Sequence, residues 1–388
     1  MRVLIAFDKF KDSLTAGEAC AATAQAIREK HPGWSLDLCP LADGGEGFAR
    51  ILTQAAGGVM IPQSVTGPRG APVTASFGLV PLQEIPAAVR ALLALPTADH
   101  EPANIAVIEM AAASGLALLA DAERDPWQTT TQGTGELIRA AADRRVAAIV
   151  LGVGGSATND LGLGALGAMG FDFLSDRGEK ISPPIPAQWR QISRLTGQAL
   201  ATLPPIRIAC DVTNPLLGPR GAAAIYGPQK GLAAGDLKKL EHESARLGLL
   251  LCTHCGQPDT LMDAPGAGAA GGIAFGLMTA AHAQLLPGFE LVSAWLDLNA
   301  RIAAADIVIT GEGRFDESSL SGKGPGAVAA RALKLGKAVH VFAGQVTTST
   351  PSPANLQLRA ITPAGLPLAE ALRTASTLLT ASIQQHFT

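Results

Sequence analysis

Four stretches of the chain carry carboxylates, hydroxyls or basic side chains on turn-forming or glycine-rich segments directly after short apolar runs. In an open α/β sheet the carboxyl ends of the strands are where ligands bind, so each stretch is a candidate piece of a site. The first, Phe7-Asp8-Lys9-Phe10-Lys11-Asp12-Ser13-Leu14-Thr15, sets two lysines and two aspartates ahead of a helix start. Helix N-termini attract anions, and a lysine beside one is a natural phosphate or carboxylate contact. Taken alone, the same loop serves equally well as a solvated cap. The second, Asp43-Gly44-Gly45-Glu46-Gly47, pairs hard oxygen ligands suited to Mg²⁺ with glycines that leave backbone N–H groups exposed, and read alone it could equally be a tight turn. The third, Gly152-Val153-Gly154-Gly155-Ser156-Ala157-Thr158-Asn159-Asp160, offers a backbone nest plus Ser156, Thr158 and Asn159, which can hold phosphate oxygens without charge. The fourth runs from Thr310 through Gly311, Glu312, Gly313, Arg314, Asp316 and Ser319 to Lys323 and Gly324. It joins acids for Mg²⁺ to cations for transferring oxygens, the charge mixture that phosphoryl transfer needs.

Several better-known motifs fail on context. The fourth stretch is not a Walker A loop, because Gly324 stands where Ser or Thr is required. Gly152–Ala157 fits G-x-G-x-x-A and Gly266–Gly271 fits G-x-G-x-x-G, which raises a dinucleotide-binding reading. The first lacks a following strand that ends in an acidic residue, and the second follows Asp263-Ala264-Pro265 rather than a strand. Asp211 ends an apolar run before Thr213-Asn214-Pro215 and reads either as a turn residue or as a catalytic one. Glu109 closes a strand beside Ser114-Gly115, and His282 sits in an apolar stretch. Cys252-Thr253-His254-Cys255 resembles half of a zinc site without its second half. The five cysteines are odd in number and scattered, which argues against a disulfide framework.

The elements that must position these groups alternate at both ends of the chain. Val3–Phe7, Leu36–Leu41, Asp306–Thr310, Ala338–Ala343 and Leu358–Thr362 read as strands, with helices over Thr15–Lys30, Ala327–Leu335 and Leu368–Gln384. Thr15 and Glu18 form a capping box, and strand, helix, strand at this spacing means a parallel βαβ unit. Both ends therefore belong to one doubly wound sheet. The middle carries strands near Val73–Val80, Ile105–Met110, Ala147–Val153 and Ile206–Asp211 at irregular spacing, with an irregular excursion over Leu82–Asn104. We expect two α/β domains: residues 1–65 with 285–388, and an inserted domain over 66–284.

Length, 388 residues, fits two domains, and a chain with 47% hydrophobic and only 4% aromatic residues builds its core from Ala, Leu, Val and Ile. The net charge of −3 and the lack of any Lys/Arg block exclude the electrostatic footprint of a nucleic-acid binder. No signal peptide or membrane-length apolar run is evident, so a cytoplasmic enzyme acting on small molecules is expected.

Asp8-Lys9-Phe10-Lys11 with Ser13-Leu14, the DGGEG string, GVGGSATND, Cys210-Asp211-Val212-Thr213-Asn214-Pro215-Leu216 with Gly227-Pro228-Gln229-Lys230-Gly231, and GEGR-x-D with Gly322-Lys323 together resemble the bacterial type-I glycerate kinases, in order from about residue 1 to about 345. The resemblance implies a two-domain protein, flavodoxin-like in the domain built from both chain ends, with ATP and glycerate meeting between the domains. It implies transfer of the γ-phosphoryl group of ATP to glycerate, at the 2-hydroxyl, with Mg²⁺. Asp43, Glu46, Glu312 and Asp316 then bind Mg²⁺ or accept the hydroxyl proton; Lys11, Arg314 and Lys323 face anionic oxygens; Asp8 and Asp211 join the catalytic group. Gly44, Gly45, Gly154, Gly155, Ser156, Thr158, Asn159, Gly311, Gly313 and Ser319 hold nucleotide. Two positions depart from the family pattern: Asn159-Asp160-Leu161-Gly162 replaces Asn-Asp-Gly-Gly, and Asp316-Glu317-Ser318-Ser319 replaces Asp-x-Gln-Ser. An NAD-dependent oxidoreductase acting on a 2-hydroxy acid and a non-catalytic glycerate sensor are the competing readings; the oligomeric state, a homo-oligomer included, is open.

Overall fold

The structure, a computed structural model, describes residues 1–95, 103–317, 319, 324–347 and 353–388. The chain divides into two compact units, Met1–Asp43 with Val292–Thr388, and Gly44–Leu291.

In the first unit, strands Arg2–Phe7, Ser35–Leu38, Ile307–Gly311, Ala338–Ala343 and Leu356–Ala360 form one five-stranded sheet. All its pairings are parallel. Counted along the unit, their spatial order is 2-1-3-4-5, the flavodoxin-like winding. The apolar run Val3–Phe7 is buried without alternation, as a strand covered on both faces requires. Helix Ala16–Lys30 begins with the expected reciprocal cap: Thr15 N donates to Glu18 Oε2 at 2.8 Å, and Glu18 N donates to Thr15 Oγ1 at 3.2 Å. Its small face of Ala19, Ala26 and Ile27 is buried, and the helix packs against Ala375–His386. The helix expected over Leu368–Gln384 is two, Leu368–Arg373 and Ala375–His386. Thr374 stands at the break, and its hydroxyl donates back to Glu370 O at 2.8 Å in competition with the backbone ladder.

The second unit is built on a six-stranded sheet in the order Gln284–Leu286, Ile206–Ala209, Ile149–Gly152, Asn104–Glu109, Pro72–Pro81, Val59–Thr66. The first four are mutually parallel, and the last two continue antiparallel. Its strands thus follow their chain order without reversal. Val59–Thr66 corrects the expected first crossing. Interrupted by Pro62 and the polar pair Gln63-Ser64, it did not read as a strand, yet it is an edge strand, where proline is tolerated. Thr66–Ala71 is consequently a hairpin connection, closed by Gly67 N donating to Ala71 O at 2.7 Å, and the crossing lies at Asp43 and Gly44. The return crossing lies at Leu291 and Val292, a few residues beyond the boundary expected between 284 and 285. Within Leu82–Asn104 the chain forms a short helix, Ala87–Leu92.

Candidate functional site

The order reversal in the first unit falls between strands Arg2–Phe7 and Ile307–Gly311, and acidic residues collect at their carboxyl ends. Asp8 and Glu312 each follow directly, and Asp8 N donates to Gly311 O at 3.0 Å. Beyond Leu38 the neighbouring ladder continues through Cys39 N to Ile5 O and Leu41 N to Phe7 O, both 2.8 Å, which carries Asp43 to the same end. Asp8 is 8% exposed and its Oδ1 accepts from Lys9 N at 2.7 Å. Burial, then the charge of Asp43 and more weakly that of Glu312, pushes its carboxyl up to about 7 against the opposing Lys9. Burial likewise raises Glu312, with Asp316 and Asp43 adding to it and a hydrogen bond from Ser319 opposing. Glu312 Oε1 is buried with no hydrogen-bond partner. Lys9 Nζ lies 3.5 Å from Asp43 Oδ1.

Crowded carboxylates with an orphaned oxygen are what a cation relieves. Among the described residues no three His, Cys, Asp or Glu side chains form a ready-made metal cage.

The remaining candidates of this unit are arranged around the acids. Ser319 Oγ accepts from Asp316 N at 3.2 Å and so ties the acidic loop together. The exposed Arg314 pairs with Asp316 at 3.3 Å, and Lys11 is exposed. Gly313 lies close to the Lys11 backbone, whose N is 3.2 Å from where a Cβ would stand. Gly311 is required by packing: a Cβ there would run into Phe342 O at 1.7 Å. Lys323 lies outside the described residues.

In the second unit the DGGEG and GVGGSATND strings come together. Gly154 N donates to Gly44 O at 3.0 Å, and a side chain at Gly154 would meet Gly45 N at 2.7 Å. Glu46 lies against Gly155, its Oε1 2.5 Å from where a Cβ would stand. Ser156, Thr158 and Asn159 are buried, and both Thr158 Oγ1 and Asn159 Oδ1 lack partners.

Two residues of this region escaped sequence reasoning as site members. Lys230, 1% exposed, donates from Nζ to Ser156 Oγ at 2.8 Å and to Thr158 O at 2.7 Å. Burial lowers its ammonium to about 7, opposed by the nearby charge of Asp160. Asp160 is wholly buried; its Oδ2 accepts from Thr131 N at 2.7 Å, Thr131 Oγ1 at 2.8 Å and Gly164 N at 3.3 Å, and its Oδ1 from Gly162 N at 3.1 Å. Burial raises this carboxyl in spite of those bonds. Both residues stood inside recognisable strings, but a lone lysine in a turn carries no sign of burial.

The dinucleotide reading finds no support in the local topology. After strand Ile149–Gly152 comes only a six-residue helix, Leu163–Ala168, and the next strand, Phe171–Leu174, pairs antiparallel with Arg194–Gly197 outside the six-stranded sheet. The glycines of Gly266–Gly271 serve close packing instead: a Cβ on Gly271 would meet Thr158 O at 2.0 Å, and Gly271 O accepts from Leu161 N at 3.1 Å. Asp211 Oδ2 accepts from Phe289 N at 2.9 Å, Glu109 Oε2 accepts from Ala49 N at 2.8 Å, and His282 caps the end of helix Ala269–Ala281. Cys252, His254 and Cys255 lie on helix Leu237–Cys255, with His254 Nε2 at 2.8 Å from Gly197 O. Among the described residues no helix is long and apolar enough to cross a membrane.

The model of the glycerate kinase family matches residues 3–388. The chain is 38% identical to a glycerate kinase of Bacillus subtilis (strain 168), over 97% of this chain and 94% of that protein. It is also 38% identical to a glycerate 2-kinase of Escherichia coli (strain K12), over 89% of this chain and 86% of that one. A crystal structure of a protein assigned as glycerate kinase 2 from Salmonella typhimurium LT2 superposes with a TM-score of 0.75 at 36% identity, covering 100% of this chain and 97% of the other. Matched from end to end in sequence and in fold, the chain belongs to the glycerate kinase family and is a kinase.

Proposed function

We propose that the chain transfers the γ-phosphoryl group of ATP to the 2-hydroxyl of glycerate, giving 2-phosphoglycerate and ADP with Mg²⁺ as the metal. The observation that carries this reading is the acidic group at the switch point, where burial, with the charge of Asp43 beside it, raises the carboxyls of Asp8 and Glu312, and Glu312 Oε1 has no hydrogen-bond partner. Mg²⁺, when bound, neutralises phosphate charge and orients the γ-phosphoryl group. Asp43 and Glu312 would hold it, with Asp8 as the third acid and Asp316 beside Glu312. Lys9 keeps the group from carrying its whole negative charge unbalanced, and Ser319 holds the acidic loop in shape. The glycine nest at Gly154-Gly155 with Ser156 and Thr158 supplies donors for anionic oxygens and needs no charge of its own at the surface. Transfer at C2 sets the incoming phosphoryl group beside the substrate carboxylate, so two anions must be neutralised together. The E. coli relative that is called a glycerate 2-kinase supports that position.

The test follows ADP formation with purified protein, requiring both glycerate and Mg²⁺, and couples the product to enolase with and without phosphoglycerate mutase. Consumption without mutase is the expected result. Consumption only with mutase would establish transfer at C3, and ADP formation independent of glycerate would remove the assignment altogether.

A further inference from the structure

Ser156 is an unusual hydroxyl. It is 8% exposed, its oxygen accepts from the Lys230 ammonium at 2.8 Å, and no acceptor for its own proton is found among the described residues. An oxygen that receives a hydrogen bond from an ammonium group has its proton turned elsewhere, and a buried donor without an acceptor costs free energy. The same ammonium grips Thr158 O at 2.7 Å, which fixes the loop on both sides of Ala157. That loop is further held by Leu116 N donating to Gly155 O at 2.8 Å, Ala157 N donating to Ser114 O at 2.9 Å, and Gly271 pressed against Thr158 O.

We propose that Lys230 is a positioning residue of the glycerate kinase reaction: by donating to Ser156 it makes the Ser156 hydroxyl an obligatory donor to an anionic oxygen of a substrate. The oxygen is a carboxylate or phosphate oxygen, and the inference rests on the kinase reading above. A lysine placed to contact the anion itself would hold its charge near the surface; here the charge is withdrawn completely and acts through a neutral hydroxyl. Two features favour this over a purely structural ammonium. Burial works against keeping the charge, which structure alone would replace with an apolar side chain at no loss. The adjacent Thr158 Oγ1 and Asn159 Oδ1 are also left without protein partners, so the loop's polar groups are not consumed internally. Asp160 is the charged group that opposes the loss of the Lys230 proton, and it is itself saturated by Thr131, Gly162 and Gly164.

The experiment is a kinetic cycle on the full chain with Lys230→Met, Ser156→Ala and the double variant, reading KM for ATP and KM for glycerate separately. Each single change should raise one of the two KM values by about ten- to a hundredfold, the worth of a hydrogen bond to a charged group, while kcat stays within about threefold because binding is lost equally in ground and transition states. The double variant should be no worse than either single, because both remove the same interaction. A rise in KM for glycerate assigns the carboxylate, and a rise in KM for ATP assigns a phosphate. Multiplicative effects in the double variant, or KM values within about twofold of wild type, overturn the proposal. If Lys230→Met does not fold, Ser156→Ala carries the test alone, and unchanged KM values again overturn it. Wild-type protein without glycerate-dependent ADP formation would instead refute the kinase reading, so the two failures are told apart.

Discussion

The two units solve the same problem, holding charge where a ligand needs it, in opposite ways. In the first the sheet order reverses, and the reversal opens the crevice at which Asp8, Asp43 and Glu312 meet as like charges. In the second the strands follow chain order, no reversal exists, and the polar groups sit on a loop braced from behind by Lys230 and Asp160. Their pH dependences are opposite in sign. Asp8 has a folded pKa raised from 3.8 to about 7, so its stabilisation is present below about pH 4 and is lost as pH rises through 7. Lys230 has a folded pKa lowered from 10.5 to about 7, so its stabilisation is present above about pH 10 and is lost as pH falls through 7. Near neutrality each unit carries a penalty that the opposite charge on a ligand would relieve, a cation in the first and an anion in the second.

The sharpest way to break this comparison is to make the units fail differently. Asp160→Ala should lower stability by about 3–5 kcal/mol, because the Thr131, Gly162 and Gly164 donors lose their acceptor and Lys230 its counter-charge. Denaturant unfolding measures it, and a loss below about 1 kcal/mol would show that the brace is dispensable. Asp43→Asn and Glu312→Gln should leave the midpoint of unfolding nearly unchanged and cut kcat/KM by about 10²–10³, with part of the loss recovered at high Mg²⁺. Loss that no Mg²⁺ concentration recovers would take these acids out of metal binding.

Leu161 offers a smaller test within the second unit. It stands in the left-handed region at φ +57, fully buried, where the family pattern has glycine, and its side chain packs over Gly272. Leu161→Gly relieves a backbone cost of about 1–2 kcal/mol but removes a buried side chain worth about 2–5, so a net loss of about 1–3 kcal/mol is expected in thermal unfolding. A gain in stability would mean that the backbone strain dominates. The smallest effect should be Asp8→Asn, a stabilisation of about 1–2 kcal/mol at pH 8 that vanishes by about pH 4, because Asn keeps the acceptor for Lys9 N and discards the buried charge. Activity should fall in the same protein. A destabilised variant at pH 8 would show that the Asp8 charge is compensated in the free enzyme.

How legible the molecule was depended on whether the signal was local. The capping box at Thr15, the buried run Val3–Phe7 and the strand Ala338–Ala343 follow from short-range pattern, and the structure has them where the residues place them. Val59–Thr66 was hidden because an edge strand tolerates proline and polar residues, and its pairing with Pro72–Pro81 moves the first crossing back to Asp43. Phe171–Leu174 was passed over because its partner, Arg194–Gly197, lies across a long connection.

What the residues determined by themselves was the chemistry available: acids, hydroxyls and lysines at the ends of strands, in an order that marks the family. Period and capping are properties of neighbouring residues, so they survive in the sequence as written. The tertiary structure alone decided which of those groups share an environment. It set Asp43 with Asp8 and Glu312 from opposite ends of the chain. It also buried Lys230 behind Ser156. Burial and the proximity of distant charges set a protonation state, and neither exists until the chain has folded.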